Sequence, residues 1–343
     1  MSQLFDTVKA LCAVPGPAGD EALVAKAIIE LITPYADEVR TTPLGSVIAF
    51  KKGKQPPKNK LMFDAHMDEV GFIITAIEGN GMLRFGTLGG IDPRVTLGKR
   101  LLVGPNLLPG VVGGKPIGES DGEDVKNPGK TDSLYIDIGA KDGDEAKKYV
   151  RLGDTAIFDS EFVEFGDGFV KARALDDRGG CAMLVQMLRS ELPYDAWFSF
   201  SVMEETGGAG ARTNAFAIDP DYAVVVEDTT AADVGGVAKE KQVCRCRKGP
   251  TLSFMDRSTI YPPALYRDAM AYLQDKGLTV QTKEGVFGGN NAGSIHPSRA
   301  GIPCLAVSIP TRYIHSGSSV IHREDLDHTF GVLMALCEYL GNR

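Results

Sequence analysis

The pattern of apolar and polar positions divides the chain into three parts. Near the start, apolar residues recur at helical spacing over residues 4–12 and again over residues 23–31. Each segment predicts an amphipathic helix with one buried face, and we expect Asp20 to cap the second helix. The apolar runs SVIAF and LMFDAH follow, bounded by turn-forming residues, and they predict buried strands.

The middle of the chain has a different texture. From about Gly71 to Val163, short β-rich runs are separated by glycines, and they predict a small barrel or sandwich. After Lys171, strands and helices alternate again, which is typical of an α/β arrangement. We therefore predict an α/β domain made of residues 1–70 and 164–343, with a β-rich domain inserted at 71–163.

Composition narrows the classes of function. A length of 343 residues suits two domains, and a net charge of −8 argues against a nucleic-acid partner, because no basic field is available for phosphates. No segment has the apolar length of a membrane span, and the first residues do not read as a signal peptide. The six cysteines lack paired metal spacing, so we expect buried thiols in a reducing, cytoplasmic compartment.

Histidine and acidic residues recur just past the predicted ends of apolar strands. The carboxyl ends of strands in an open α/β sheet form a common crevice, so these side chains can converge. An imidazole and carboxylate mixture suits zinc or a similar first-row cation. The candidates are His66, Asp68, Asp176, Asp177, Glu204, Glu205, Glu227, Asp228 and His315.

Any one of these residues alone would be weak evidence, since a lone histidine or acidic pair is usually a surface or satisfied core group. The inference depends on their coincidence. Buried like charges repel one another unless a cation neutralises them. The whole set therefore predicts a metal site.

Several longer motifs carry a resemblance to a known family. They are DAHMDEVGF, LGG, LYIDIGA, ALDDRGG, MEETGGAGA, RKGP and IPTRYIHSGSSVIH, together with the E-x-T-x-A-x-D spacing from Glu227 to Asp233. With these motifs the chain resembles the M42 family of metallo-aminopeptidases over nearly its entire length. The resemblance implies a zinc-peptidase-like α/β catalytic domain with an inserted small β-barrel domain.

The resemblance also implies a site with two divalent metal ions, zinc or cobalt. It makes His66 and Glu227 ligands of one metal. It makes Glu205 and His315 ligands of the other, with Asp176 bridging both. A non-proline cis peptide bond is expected between Asp176 and its successor.

The implied reaction removes N-terminal residues from short peptides. Asp68 would orient the His66 imidazole, and Glu204 would be the general base for hydroxide attack on the first peptide bond. The family spacing to Asp233 favours Glu227 over Asp228 as a ligand, but both stay candidates. Where relatives commonly read GGTDA this chain reads GGNNA, so Asn291 removes a charge near the site.

Assembly and alternative functions follow from the same resemblance. The inserted domain would make dimer contacts, and dimers could build a tetrahedral dodecamer. Another metal-dependent hydrolase, an N-acyl deacetylase or a glycan-directed enzyme, is the alternative, and a non-catalytic protein with a structural metal is a third hypothesis. We expect His296, His322 and His328 at surface positions rather than at the metals.

Overall fold

A computed structural model describes residues 3–116 and 131–343 of the chain. Its α-helices are α1 Gln3–Ala13, α2 Ala22–Ile32, α3 Gly143–Ala146, α4 Leu175–Arg189, α5 Ala209–Ile218, α6 Pro263–Asp275, α7 Ala292–Ile295 and α8 Arg323–Asn342. Its strands are β1 Glu38–Thr41, β2 Val47–Lys51, β3 Leu61–His66, β4 Gly71–Ile77, β5 Leu83–Leu88, β6 Arg100–Val103, β7 Leu108–Gly113, β8 Tyr135–Asp137, β9 Thr155–Phe158, β10 Val163–Phe165, β11 Phe169–Ala172, β12 Ala196–Ser201, β13 Tyr222–Thr230, β14 Thr251–Leu252, β15 Gln281–Thr282, β16 Cys304–Thr311 and β17 Ser319–His322.

A mixed sheet forms the centre of the larger domain. In the described ranges its strand order is β1-β2-β12-β3-β13-β16-β14-β15, and β12, β3, β13 and β16 run parallel to one another. Every residue of β3 and β16 is buried. Such nearly continuous apolar strands are typical of a parallel sheet covered on both faces. Their carboxyl ends share one edge of the sheet, where ligands bind in folds of this type.

Successive residues of a strand enter two different cores. Phe63 of β3 packs with α1, α2, α4 and α8, whereas Met62 packs with α5 and α7 on the opposite face. This alternation follows from the two-residue period of a strand. The sheet is therefore held rigidly between two helical layers, which fixes the side chains at its edge.

The inserted segment folds into a closed barrel with the strand order β4-β5-β8-β7-β6-β9. Phe72 lies at its centre, with its ring 5.2 Å from the rings of both Phe85 and Phe158. Closure pairs the edges of the barrel strands with one another. The predicted α/β fold with an inserted barrel is confirmed, while the boundaries at 70/71 and 163/164 stay predictions.

Two smaller predictions are wrong. Glu21, not Asp20, precedes α2, and it makes no side-chain cap; the Asp20 carboxylate instead accepts a hydrogen bond from the Thr155 hydroxyl of the barrel. His322 is buried rather than on the surface, and its ring caps the start of α8. All six cysteines are free and buried, as expected. No helix in the described part of the chain is long and apolar enough to cross a membrane.

Candidate metal centre

The predicted site residues come from separate elements that meet at the carboxyl edge of the sheet. His66 is the last residue of β3, and Glu204 and Glu205 lie in the turn after β12. Glu227 does not follow the end of β13, as we expected, but lies within it, because β13 continues to pair with β16 as far as Thr230. The sheet still carries its side chain to the same edge.

Asp176 lies between two imidazoles. Its Oδ1 is 3.0 Å from Nε2 of His66, and its Oδ2 is 3.2 Å from Nε2 of His315. The peptide bond to Asp177 is cis, which confirms the expectation drawn from the resemblance. Asp176 therefore has one oxygen facing each side of the centre, the geometry that a bridging carboxylate requires.

Each imidazole has a second carboxylate beside it. Glu227 Oε1 is 3.4 Å from Nε2 of His66, and Glu205 Oε1 is 3.3 Å from Nε2 of His315. Donor atoms of His66, Asp176 and Glu205 also lie within 4.8 Å of one another. The arrangement provides two adjacent clusters of nitrogen and oxygen donors that share Asp176.

Asp177 is a further acidic residue close to His66 and Glu227. Both of its carboxylate oxygens already accept backbone hydrogen bonds, Oδ2 from His66 N at 3.1 Å and Oδ1 from Gly180 N at 2.8 Å. These bonds anchor the end of β3 to α4. We therefore assign Asp177 to the scaffold and Asp176 to the centre.

Backbone carbonyls orient both histidines. His66 Nδ1 lies 3.0 Å from the Asp68 carbonyl oxygen, and His315 Nδ1 lies 2.8 Å from the carbonyl oxygen of Gly90 in the barrel domain. A carbonyl oxygen can only accept, so each Nδ1 carries the proton and donates it. Each Nε2 then presents its lone pair to the centre when the ring is neutral, as metal-ligating histidines do.

The Asp68 carboxylate has a wider role than the predicted orientation of His66. It lies 3.4 Å from His66 Nδ1, and its two oxygens accept the backbone N–H groups of Glu204 and Glu205, each at 3.0 Å. Met203, which precedes Glu204 in the turn, has a left-handed φ of 57°, a value that non-glycine residues rarely adopt. Asp68 thus connects β3 to the turn that carries both glutamates.

Burial and neighbouring negative charges shift the pKa values of the side chains at the centre. Burial raises the pKa of Glu205 and of Glu227 well above the ordinary value, and neighbouring Asp176 adds to the rise. Burial alone would lower the pKa of His315, but its hydrogen bond to Asp176 and the charge of Glu205 outweigh burial and raise the pKa to about 10. Strong negative potential is what a bound cation neutralises.

The residues fit bound divalent metal. Three buried carboxylate oxygens at this edge, Glu205 Oε1, Glu227 Oε2 and Asp228 Oδ1, receive no hydrogen bond from the described residues. Buried carboxylate oxygens without a hydrogen-bond donor are unfavourable, and mixed imidazole and carboxylate donors suit zinc and similar first-row cations. The sequence left Glu227 and Asp228 open as ligands. Glu227 is the one beside His66, whereas Asp228 Oδ2 accepts a hydrogen bond from the Thr311 hydroxyl at 2.6 Å.

A cavity of about 230 Å³ opens beside the centre. Glu204 lines it, and burial, together with the negative charge of Asp176, raises the pKa of its carboxyl to about 7. Asn290, from the GGNNA segment, also lines the cavity. Asn291 instead points into the protein, where its amide donates to Asp64 Oδ2 and Ser201 Oγ, each at 2.8 Å. The departure from GGTDA therefore changes the wall of the cavity at Asn290 and a buried network beneath the site at Asn291.

Sequence reasoning missed three contributors to the site. The Gly90 carbonyl, which orients His315, belongs to the LGG motif that contributed to the resemblance, although no role was inferred for it. Arg178 binds backbone carbonyls around the end of β3, and only its place in ALDDRGG hinted at a role. Lys283 lines the cavity but belongs to none of the motifs, so no pattern in the sequence marks it.

This combination of an α/β sheet, two histidines, a shared aspartate and an unliganded glutamate beside a cavity defines a metal-dependent hydrolase. The family model of the M42 glutamyl aminopeptidases matches residues 45–332. The chain belongs to this family and is a metal-dependent aminopeptidase.

Relatives and solved structures agree with this membership. The chain is 30% identical to a lysyl aminopeptidase of Pyrococcus furiosus over 98% of this chain and 97% of the relative. It is 28% identical to a glutamyl aminopeptidase of Lactococcus lactis over 94% and 92% of the two chains. Its fold is similar to that of a TET aminopeptidase from a marine sediment archaeon of the Thaumarchaeota, with a TM-score of 0.93, 33% identity and coverage of 98% of this chain and 96% of the other. The Pyrococcus horikoshii TET1 peptidase, which assembles into a tetrahedron or a large octahedral shell, has a TM-score of 0.85 and 30% identity, with 98% and 99% covered.

Proposed function

We propose that this chain removes N-terminal residues from short peptides with the help of two divalent cations, zinc or cobalt. Asp176 would bridge the cations. One would be held by His66 and Glu227, and the other by Glu205 and His315. The observation that carries this proposal is the position of Asp176, with one oxygen 3.0 Å from His66 Nε2 and the other 3.2 Å from His315 Nε2.

When bound, the cations supply Lewis-acid polarisation of the peptide carbonyl and of the attacking water. Glu204 accepts the proton of that water and passes it to the leaving amine. Burial raises the pKa of its carboxyl towards the operating pH, where a general acid–base group works best. Asp68 fixes the backbone positions of Glu204 and Glu205, because its carboxylate accepts a hydrogen bond from the backbone N–H of each.

The closed barrel supports a proposal about assembly. Several large apolar side chains of this domain are exposed to solvent: Leu97, Leu107, Val111, Tyr149 and Leu152. Contacts between subunits commonly bury such side chains. The similarity to the Pyrococcus horikoshii TET1 peptidase adds support. We propose dimers formed through the inserted domain and a tetrahedral dodecamer built from them, which would admit only short or unfolded peptides. The free cysteines favour a reducing, cytoplasmic location.

Replacing Glu204 by Gln tests the mechanism directly. Glutamine keeps the size of the side chain and removes the base, so we expect turnover of aminoacyl anilides to fall by roughly 10²- to 10⁴-fold while metal content per chain is unchanged. The matched control is Glu191→Gln, since Glu191 forms an exposed ion pair with Lys54. Retained activity in Glu204→Gln would remove this residue from the mechanism. Turnover of acylated amino acids or cellulose, with none of the anilides, would favour the other hydrolase class.

A further inference from the structure

The cavity beside the metal centre contains a buried lysine that the proposed mechanism does not use. Lys283 follows β15 and is only 4% exposed. Its backbone N–H donates to the Leu252 carbonyl at 3.1 Å, which fixes the start of the side chain. Within residues 3–116 and 131–343, it is the one lysine or arginine that lines this cavity. The carboxylates of the centre lie in the same lining.

Among the described residues, the ammonium group of Lys283 has no hydrogen-bond or ion-pair partner. Other partly buried lysines do: Lys51 donates to the Leu188 carbonyl at 2.5 Å, and Lys171 donates to Ser160 Oγ at 2.9 Å. In the part of the chain that the structure describes, Lys283 Nζ makes neither a hydrogen bond nor an ion pair. A buried ammonium without a partner is unfavourable, and the burial lowers the pKa of Lys283.

The two acidic groups that act on Lys283 are engaged elsewhere. Asp256 is held by the Tyr261 hydroxyl at 2.6 Å and by the backbone N–H of Thr259 at 2.8 Å. Glu227 lies 3.4 Å from His66 and belongs to the metal centre. Neither carboxylate approaches the ammonium within ion-pair distance, so both act only through longer-range attraction. The positive charge of Lys283 is therefore free to meet a negative group that enters the cavity.

We infer that Lys283 is a specificity-determining residue that binds a carboxylate of the peptide substrate. This inference rests on the proposed aminopeptidase function. The carboxylate has two possible sources, the side chain of an acidic N-terminal residue or the terminal carboxylate of a dipeptide. Family membership does not choose a substrate, because its relatives include both a glutamyl and a lysyl aminopeptidase.

The size and the lining of the cavity fit a small acidic group. Its volume of about 230 Å³ is below the roughly 300–1,000 Å³ of sites for drug-sized ligands, so it suits one or two residues of a peptide. Phe287 is 46% exposed and lines the cavity together with Ile314. These apolar side chains can pack against the methylene groups of a substrate while Lys283 binds its charge.

Paired substrates separate the two sources of the carboxylate. The first pair is the p-nitroanilides of glutamate and glutamine, which differ only in the side-chain charge. The second pair is the dipeptide Leu-Ala and its C-terminal amide. We expect Lys283→Met to lower kcat/KM for the charged member of one pair about ten- to a hundredfold relative to its neutral member, the range for a lost hydrogen bond to a charged group. The pair that responds identifies the source.

Two further variants complete the experiment. Lys283→Arg keeps the positive charge and should retain most of the preference, whereas Lys147→Met, at an exposed lysine that follows α3, should behave as wild type. The wild-type enzyme itself must prefer the charged member of at least one pair, a requirement that does not depend on how any variant folds. Equal rates within both pairs for wild type, or equal losses within both pairs for Lys283→Met, would overturn the inference. Wild-type enzyme that carries metal but hydrolyses none of the four substrates would contradict the proposed function instead.

Discussion

His315 of the catalytic domain donates its Nδ1 proton to the carbonyl of Gly90 in the barrel domain, across 2.8 Å. The neighbouring Gly89 lies against the same centre, because a Cβ built on it would be 2.8 Å from Glu205 Oε2. The loop between β5 and β6 therefore contacts the two side chains that we assign to one cation. The barrel contributes to the site itself, in addition to any role in assembly.

Replacing Gly89 by Ala should damage this half of the centre. Gly89 has a φ of +83°, and an added Cβ would also meet Val70 Cγ1 at 2.8 Å and Glu205 Cβ at 3.1 Å. We expect at least a tenfold loss of kcat/KM and less than the wild-type amount of metal per chain, measured by elemental analysis, because Glu205 must shift. Gly79→Ala is the control, since a Cβ there meets nothing within 4 Å. Equal metal content and activity in both variants would show that the loop does not position Glu205.

The pH profile should report Glu204. Burial raises the pKa of this carboxyl to about 7 from an ordinary value of 4.5. Only the ionised form accepts a proton, and cations bound at the neighbouring centre favour that form and lower the pKa. We therefore expect kcat/KM of the metal-loaded enzyme to fall about tenfold per pH unit below an acid limb that lies between about pH 4.5 and 7. Initial rates from pH 5 to 9 at constant metal loading check this expectation. An acid limb that begins near pH 4.5 would indicate a carboxyl with its ordinary pKa.

Arg178 should be a strong determinant of stability. It is 0% exposed, and its guanidinium donates to the carbonyls of Met67 at 2.7 Å, Leu11 at 2.6 Å and Val14 at 2.9 Å. Methionine fills a similar volume but leaves these buried acceptors without donors. We expect Arg178→Met to lower the free energy of unfolding in urea by about 3–5 kcal/mol.

The control for Arg178 is a surface arginine. Arg100 forms an exposed ion pair with Asp159, and such pairs contribute little. Arg100→Met should leave the urea midpoint close to that of wild type. A similar midpoint for Arg178→Met would mean that water satisfies the freed carbonyls.

The hydrogen bond from Asn291 should reduce the unfavourable free energy of burying the Asp64 carboxylate. Burial raises the pKa of Asp64 to about 6 from an ordinary 3.8, so the native state holds this proton at a higher pH than the unfolded chain does. The unfavourable effect of a charged Asp64 is therefore fully present above about pH 6 and is lost as pH falls through the window from 6 to 4. Asn291→Asp would place a second carboxylate where an amide now donates to Asp64 Oδ2.

We expect Asn291→Asp to lower the free energy of unfolding by about 1–3 kcal/mol at pH 8 and by less at pH 5, where one carboxyl holds a proton. Denaturant titrations at the two pH values measure the difference. Asn80→Asp is the control, because Asn80 is exposed and its Oδ1 only accepts from Met82 N, which aspartate can also do. A pH-independent loss would show that repulsion between the two carboxylates is not the cause.

The helices, the strands and the barrel insertion follow from local patterns. The apolar run LMFDAH and the short apolar segments between glycines in the insert have the period and composition that are typical of strands. The residue types of the site were also visible, because histidines and acids follow apolar strands. The exception is instructive: Glu227 lies inside β13, since pairing with β16 extends the strand beyond its apolar part.

The sequence by itself determined the α/β sheet with its inserted barrel. Its resemblance to the M42 family supplied the donor set that we propose: His66, Asp176, Glu205, Glu227 and His315. Only the tertiary structure decided that Gly90 orients His315, that Asp68 holds the turn of Glu204, and that Lys283 lines the cavity. Periodicity records which face of an element is buried, and it depends on neighbours a few residues away. Contacts between residues more than a hundred positions apart depend instead on how whole elements pack, and no local pattern encodes that packing.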